Sequence, residues 1–436
     1  MDQIEIVTVP GHDHPTAFQR EFLLGLQRQL LRYFLDNQAA GGLVLDRQAN
    51  HEAPRPHGWC STAATGMGLI ALGLAAAAPY RLLTPAEAAG RVRACLEAAL
   101  GRLAHDRGMM AHFLDADTDA VWGCDVVSTI DSSWLIAGAL WAAAFLRDGE
   151  LEALAGRLYD RVDWCYWTAP EAPGACGLLR HGKGRDGQYL LGCWDRLNGE
   201  TVFMYVLGAG AAEGRALGPA SWAALRPFYG TVAGLRFNNA DLGLFAFEYG
   251  LDLLDTWAWR PPGEVDLAAD AVLATEANRN FCRQAADAFA TYRRFWGLSD
   301  GDGPGPPGTD AYRPYSPALP LDGTAHLSAA TAAVAHDLPA VWENLQEAER
   351  DRALGARGRY GFSNVNLDRH WVSRDVVGID AGAAVLALDN YLHHGRVRAV
   401  FHGLPCVGTA LARLGFTRTA APLPCGGATP TVRDEW

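Results

Sequence analysis

Three carboxylates stand where an apolar helix is about to begin. Asp131 does so in "VVSTIDSSWLIAGALWAAAF" (126–145), Glu200 in "DRLNGETVFMYVLGAG" (195–210) and Asp380 in "VVGIDAGAAVLALDN" (376–390). An acid in a first helical turn meets free N–H groups and the positive end of the dipole, a gain of ~0.3–1 kcal/mol. That accounts for any one of them taken singly. A helix start of this kind ordinarily faces water, however, whereas these three run straight into segments suited to a core. Burying an ionised carboxylate without partners is costly and raises its pKa, which suits a proton donor near neutral pH. Two carboxylates facing across a cleft are what cleavage of a glycosidic bond requires: one protonates the leaving oxygen, the other activates water or attacks carbon. The 14 Trp, 13 Tyr and 16 Phe supply flat faces on which sugar rings can stack. Trp59, Trp122, Trp194 and Trp371, in loop-like segments, are the candidates, although packing is the commoner use of any single Trp.

Other chemistries find less support. Nine cysteines without a CxxC pair exclude the usual zinc spacings and argue against a disulfide framework, so reduced, mostly buried thiols are expected. The stretch "DADTDAVWGCDV" (115–126) opens like a calcium loop but lacks Gly at its sixth position and Glu at its twelfth. His57, His393 and His394 lack metal-ligand spacing with acids and suit capping or solvent-facing roles. Ser61, Ser128 and Ser363 sit in no nucleophile elbow, and "GDGPGPPG" (301–308) lacks the Lys-Ser/Thr ending of a phosphate loop. There is no DDxxD or DxDD motif of a terpene cyclase. No metal and no cofactor are expected.

The 436 residues, 49% hydrophobic, can bury a core without help from a metal or disulfide. A formal charge of −12 argues against nucleic acid or an anionic membrane as partner. Arginine dominates the basic residues, with Lys183 the single lysine. The segment "MDQIEIVTVPGHDHPTAFQR" has no basic-then-apolar signal, and no apolar run makes a convincing span of ~20 residues. A cytoplasmic protein is the expectation.

The elements that must position the acids are helices. Apolar spacing of three and four predicts them at 16–37, 61–78, 84–106, 127–147, 149–165, 200–213, 267–293, 324–335, 338–354, 380–394 and 404–413. The segment 61–78 is apolar nearly throughout, as for a helix buried on several sides. The helix at 84–106 opens on Thr84, Pro85 and Glu87, a cap, a first-position proline and a first-turn acid. Strand-like alternation is confined to short pieces such as 177–192, a hairpin candidate. Paired helices are separated by long loops at 41–59, 107–125 and 297–324, rich in Gly, Asp and aromatics. The expectation is all-α: a helical toroid with a cleft built by loops at one end. No linker splits the chain, so 1–436 reads as one domain.

An ordered set of motifs resembles the glucoamylase-like domain family, which includes the endo-β-1,2-glucanases of glycoside hydrolase family 144. The set runs through "RYFLDNQAAGGLVLDR" (32–47), "CSTAATGMGLIALGL" (60–74), "AHFLD" (111–115), "VVSTIDSSWLIAGAL" (126–140) and "NGETVFMYVLGAG" (198–210). It continues with "FWGLSDGDGP" (295–304), "LDGTAHLSAATAAV" (321–334), "YGFSNVN" (360–366) and "GIDAGAAVLALDNYLHHG" (378–395), covering about residues 30–415. The resemblance implies an (α/α)6 toroid and anomer-inverting hydrolysis of a glucan, with no metal or cofactor. It makes Glu200 the general acid, Asp380 the base acting on water, and Asp131 a further carboxylate that orients sugar hydroxyls or shares the base role. Asp46 and Arg47 of the "LDR" motif would line the sugar site with His112 and Phe113, although an Arg47–Asp46 ion pair fixing the loop explains them equally well. Trp296 and Asn364, in matched motifs, join Trp59, Trp122, Trp194 and Trp371 as candidate substrate contacts. The chain departs from the family pattern at Ala381 and Ala383, where Gln and Pro are usual, and at Asn364, in the region of an Asp. A β-linked glucan or oligosaccharide is the implied substrate, with β-1,2-glucan the first choice. Alternatives are a non-catalytic sugar-binding relative, or a glycan transferase or phosphorylase on the same scaffold. Oligomeric state is not legible.

Overall fold

The computed structural model describes residues 14–169 and 176–419. Fourteen α-helices among them form the framework: α1 (Ala17–Asp36), α2 (Thr62–Ala76), α3 (Pro85–Gly101), α4 (Thr129–Leu146), α5 (Gly149–Asp160), α6 (Gly199–Ala209), α7 (Pro219–Ala223), α8 (Phe245–Glu248), α9 (Leu267–Gln284), α10 (Leu327–Ala332), α11 (Leu338–Arg350), α12 (Gly378–Leu392), α13 (Arg396–His402) and α14 (Pro405–Leu414). All eleven helical segments expected from the sequence are present within a few residues, apart from shorter C-terminal ends. The capping signal at Thr84 is realised in full: Thr84 and Glu87 bond each other's backbone N–H, with Pro85 at the first position.

Composition separates the helices into two kinds. Every residue of α2 is buried, as is every residue of α12 except Ile379 and every residue of α6 except Glu200. By contrast α1, α3, α5, α9 and α11 each keep a polar face outward. The buried helices pack on one another, α2 against α4 and α12, α4 against α6, and α12 against α10, while α1, α3, α5 and α11 lie outside them. The crossing of α2 and α4 is set by two glycines. A Cβ on Gly138 would lie 1.9 Å from the Gly66 carbonyl oxygen, and one on Gly66 would lie 2.1 Å from that of Trp134. Only hydrogen at both positions lets the backbones approach so closely. One contiguous buried apolar cluster runs from Leu23 to Leu414.

The segments expected as plain loops are built from short antiparallel ribbons, so the scaffold is helical but not free of strands. Residues 59–61, 113–115 and 121–122 form a three-stranded sheet. Residues 301–304 pair with 310–313. Arg47–Ala49 pairs with Asp375–Val377, joining the beginning of the fold to the start of α12. The hairpin expected within 177–192 is present as antiparallel bridges, Lys183 opposite Tyr189 and Arg180 opposite Cys193, and its first arm also pairs outward, Leu178–Leu179 with Thr168–Ala169 and Gly182–Gly184 with Asp125–Ser128. Pieces of two to four residues are too short for alternation to reveal the partner.

Two further expectations meet the structure. Cys165 and Cys176 form a disulfide, against the reading of all thiols as reduced. The spacing resembles no motif, and only proximity in the fold reveals the pair; Cys425 lies outside the described residues, as do residues 1–13, on which the signal-sequence reading partly rests. Among the described residues one helix, α4, is long and apolar enough to cross a membrane, but 72% of it is buried in the protein, which makes it a core helix.

Candidate active site

The N-terminal ends of α4, α6 and α12 carry the three acids in their first turns. None of the three is the cap itself. Ser128 caps α4, Asn198 caps α6, and α12 starts from Val377 without a side-chain cap. The N–H groups that an acidic cap would satisfy already have partners at α4 and α6, so capping does not account for the carboxylates there.

Glu200 is the single residue of α6 that is not fully buried. Trp134, one turn into α4, points its indole N–H at Glu200 Oε1 at 3.5 Å, the long edge of a hydrogen bond. Protein crowds the carboxyl although solvent reaches it. Burial pushes its pKa up to about 8, Asp131 and Asp300 add to the rise, and the Trp134 N–H opposes it. Such a group keeps its proton at neutral pH and can give it away.

Asp380 is 5% exposed. Tyr249 donates its hydroxyl to Asp380 Oδ1 at 2.6 Å. Burial lifts Asp380 to about 7; the Tyr249 hydrogen bond and Arg47 oppose that rise, whereas Asp302 and Asp46 reinforce it. Beside it lies a small pocket, lined by Asp302, Ser328, Asn364, Ser373 and Asp380, with room for about one water.

Asp131 accepts a short hydrogen bond from Ser128 Oγ and lies 3.4 Å from His112 Nε2. His112 stacks on Phe113 with ring centroids 3.7 Å apart. Phe113 meets Trp122 edge-on at 5.6 Å, and Trp122 stacks on Trp59 at 4.8 Å. The three-stranded sheet sets this row, placing Phe113 opposite both Ser61 and Trp122. Trp59 and Trp122 remain 38% and 44% exposed, unusual for rings of that size, and form an aromatic wall that starts at Asp131.

Arg47 ties the floor together. Its Nε lies 3.1 Å from Asp46 Oδ2, and its Nη1 lies 3.2 and 3.1 Å from the two oxygens of Asp302. Asn364 holds the same ribbon by donating to the Asp302 carbonyl at 3.2 Å. Tyr312, opposite Asp302 in the ribbon, is 45% exposed. Its phenol is pushed well above its ordinary value by crowding and by Asp380, Asp300, Asp46 and Glu200 together, which places it among all four carboxylates. Asp300 is itself lifted to about 6 by burial.

Trp194 and Trp371 stand at the rim. The first donates to Thr129 Oγ1 at 3.0 Å beside the start of α4, the second to Asp310 Oδ1 at 3.0 Å beside the 301–313 ribbon. Trp296 is placed elsewhere. It is 3% exposed, its indole N–H bonds the Ala340 carbonyl, and Asn344 clamps its backbone, so the ring belongs to the core and cannot stack on a ligand. Ala381 and Ala383 are likewise enclosed, at 0% and 2% exposure, so these departures from the family pattern lie behind the cleft. Sequence reading passed over Tyr249, Asp300, Asp302 and Tyr312. A signal existed for two of them: Asp300 and Asp302 are spaced by the two-residue period that puts side chains on one face of a strand.

A family model, Glycoamylase, described as "putative glucoamylase", matches residues 193–405. The resemblance to the glucoamylase-like family is met. That glucoamylase-like match takes in Glu200, Asp300, Asp302 and Asp380, while Asp46, Arg47 and Asp131 join them through the fold. Among solved structures, an endo-β-1,2-glucanase from Chitinophaga pinensis, in complex with sophorotriose and glucose, superposes with a TM-score of 0.80 at 17% identity, over 93% of this chain and 99% of that one. A "putative glucoamylase" from Bacteroides uniformis gives 0.79 at 18% identity, over 93% and 99%. An endo-β-1,2-glucanase from Talaromyces funiculosus, in complex with sophorose, gives 0.59 at 12% identity, over 89% and 88%. At these identities the likeness is one of fold. No curated protein matches the chain.

Proposed function

We propose that the protein is an inverting glycoside hydrolase acting on a β-linked glucan or oligosaccharide, β-1,2-glucan first among them. In this reading its buried helices form the inner ring of an (α/α)6 toroid in one domain. The observation that carries it is the pairing of Glu200 and Asp380. Each stands in the first turn of a different buried helix, each is lifted toward neutrality by burial, and both act on the phenol of Tyr312. Glu200 gives its proton to the glycosidic oxygen. Asp380 takes a proton from water, whose oxygen bonds the anomeric carbon as the glycosidic bond breaks. Asp131, His112 and Arg47 border the sugar, and the Trp59–Trp122 wall stacks against its rings. The single-domain reading is supported by the continuous core, and the substrate by the structural neighbours that bind sophorose and sophorotriose.

The test is product analysis on β-1,2-, β-1,3- and α-glucans and their short oligosaccharides, with the anomer of the new reducing end followed by NMR. Glu200→Gln and Asp380→Asn are each expected to abolish hydrolysis and keep the fold. Near-wild-type turnover by either would overturn the assignment. Binding without turnover by the wild type would make it a sugar-binding relative, and phosphate-dependent release of a sugar 1-phosphate a phosphorylase.

A further inference from the structure

Tyr249 touches Asp380 and the start of the helix that carries Glu200. Its hydroxyl donates to Asp380 Oδ1 at 2.6 Å. Its main chain lies against the residue before Glu200, where a Cβ on Gly199 would come within 2.1 Å of the Tyr249 carbonyl oxygen. The contact is reciprocal: a Cβ on Gly250 would lie 2.3 Å from the Gly199 carbonyl oxygen, and Gly250 itself adopts a left-handed φ of +81°. The start of α6 is therefore pressed onto the Tyr249–Gly250 peptide, while the Tyr249 ring reaches across to the start of α12. With 5% exposure, the residue has little freedom to move independently of either helix.

The surroundings of Asp380 make the phenol matter electrostatically. Asp302 on the ribbon and Asp46 in the neighbouring loop push a proton toward it, and Asp380 in turn helps to raise Glu248 at the end of α8 well above its ordinary value. Tyr312 faces it as a neutral phenol. Arg47 is the facing cation, but its guanidinium is already shared between Asp46 and Asp302. Both carboxyl oxygens of Glu248 are buried without a hydrogen-bond partner, so this neighbour offers no compensating donor. Tyr249 is itself held firmly protonated by burial and by Asp380, and so stays a donor.

We propose that Tyr249 is a positioning residue that holds Asp380 as the ionised carboxylate, leaves Oδ2 as the oxygen that receives the proton of water, and fixes the base relative to the helix that carries Glu200. The proposal rests on the reading of Asp380 as base. It adds no group to the reaction: the proton from water ends on Asp380 and that of Glu200 on the leaving oxygen.

Tyr249→Phe deletes one oxygen and keeps the ring, so the packing on Gly199 is retained. The experiment measures kcat/KM against pH for wild type and Y249F on the same glucan, with thermal melting beside it. The expected result is an acidic limb moved to higher pH by about one unit, a kcat loss of roughly tenfold below pH 7 that narrows as pH rises, and a nearly unchanged KM. Tyr159→Phe serves as the structural control. It removes a buried hydroxyl bonded to the Leu207 carbonyl at 2.7 Å, far along α6 from the acid, and is expected to lower the melting temperature without moving the limb. An unmoved limb in folded Y249F, or one that moves equally in Y159F, overturns the proposal. D380N distinguishes the two levels: if it hydrolyses like wild type, the base assignment itself falls, whatever Y249F does.

Discussion

Arg47 and Asp302, 255 positions apart, are joined by one guanidinium nitrogen that lies 3.2 and 3.1 Å from the two carboxylate oxygens. Asp302 is buried, at 1% side-chain exposure, and Arg47 is the cation that pairs with it among the described residues. The same guanidinium reaches Asp46, so one side chain holds the loop before residue 47 to the ribbon above Asp380. Removing it strands a buried carboxylate. Arg47→Met is expected to cost about 2 kcal/mol in chemical denaturation, below the ~3–5 kcal/mol of a fully buried pair because Arg47 is partly open to solvent. Adding Asp302→Asn to it is expected to restore much of the loss. A double variant no more stable than Arg47→Met would show that the bridge does not carry that stability.

Activity is expected to follow a narrow bell in pH. Asp380 must be ionised, which sets an acidic limb near pH 7, and Glu200 must be protonated, which sets a basic limb near pH 8. kcat/KM measured from pH 5 to 10 checks both limbs, and Asp131 and Asp300, which both raise Glu200, are the residues whose neutralisation should draw the basic limb downward.

The same groups tax stability. Glu200 has a folded pKa of about 8, above the ~4.3 of an unfolded chain, so the folded state holds the extra proton between those values. Its contribution is fully present below about pH 4 and is lost as pH rises through 8. Glu200→Gln cannot lose it. The stability advantage of E200Q over wild type is therefore expected to grow between pH 5 and pH 8, by roughly 2 kcal/mol once screening in the open cleft is allowed for. Melting curves at the two pH values check this, and a constant difference would contradict it.

The aromatic wall makes a binding prediction. Trp59 and Trp122 touch each other and solvent, and their loss removes stacking area without opening the core. Trp122→Ala is expected to raise KM about tenfold on a long glucan with little change in kcat, and to matter less for the shortest substrate. An unchanged KM on the long substrate would place the sugar chain elsewhere.

Much of this was legible in the sequence, for physical reasons that differ by element. Helices such as α2 and α4 announce themselves because burial on several sides leaves them apolar throughout, and α3 carries its cap in Thr84, Pro85 and Glu87. Asp131, Glu200 and Asp380 stood out as acids that the capping argument did not use up, and in the fold Asp131 acts on Glu200 while Glu200 and Asp380 both act on Tyr312. The ribbons were not legible, since strands of two to four residues offer no alternation to read. Trp296 was misplaced because it was chosen for its place in the matched motif "FWGLSDGDGP", whereas the partner that buries it, Asn344, is 48 residues away. Tyr249 gave no sign at all: its meaning comes from Asp380, 131 residues later.

The pairing of Arg47–Ala49 with Asp375–Val377 has a consequence for how the protein is made. A ribosome adding about 5–20 residues per second needs on the order of half a minute to deliver the second strand after the first. Throughout that interval α2, buried along its whole length in the finished molecule, lacks α12 to cover one side. The nascent chain must therefore carry exposed apolar surface until nearly all of its helices have emerged. Synthesis of this fold is expected to depend on chaperones that shield that surface, and truncated products that stop before α12 should aggregate rather than accumulate as inactive soluble protein.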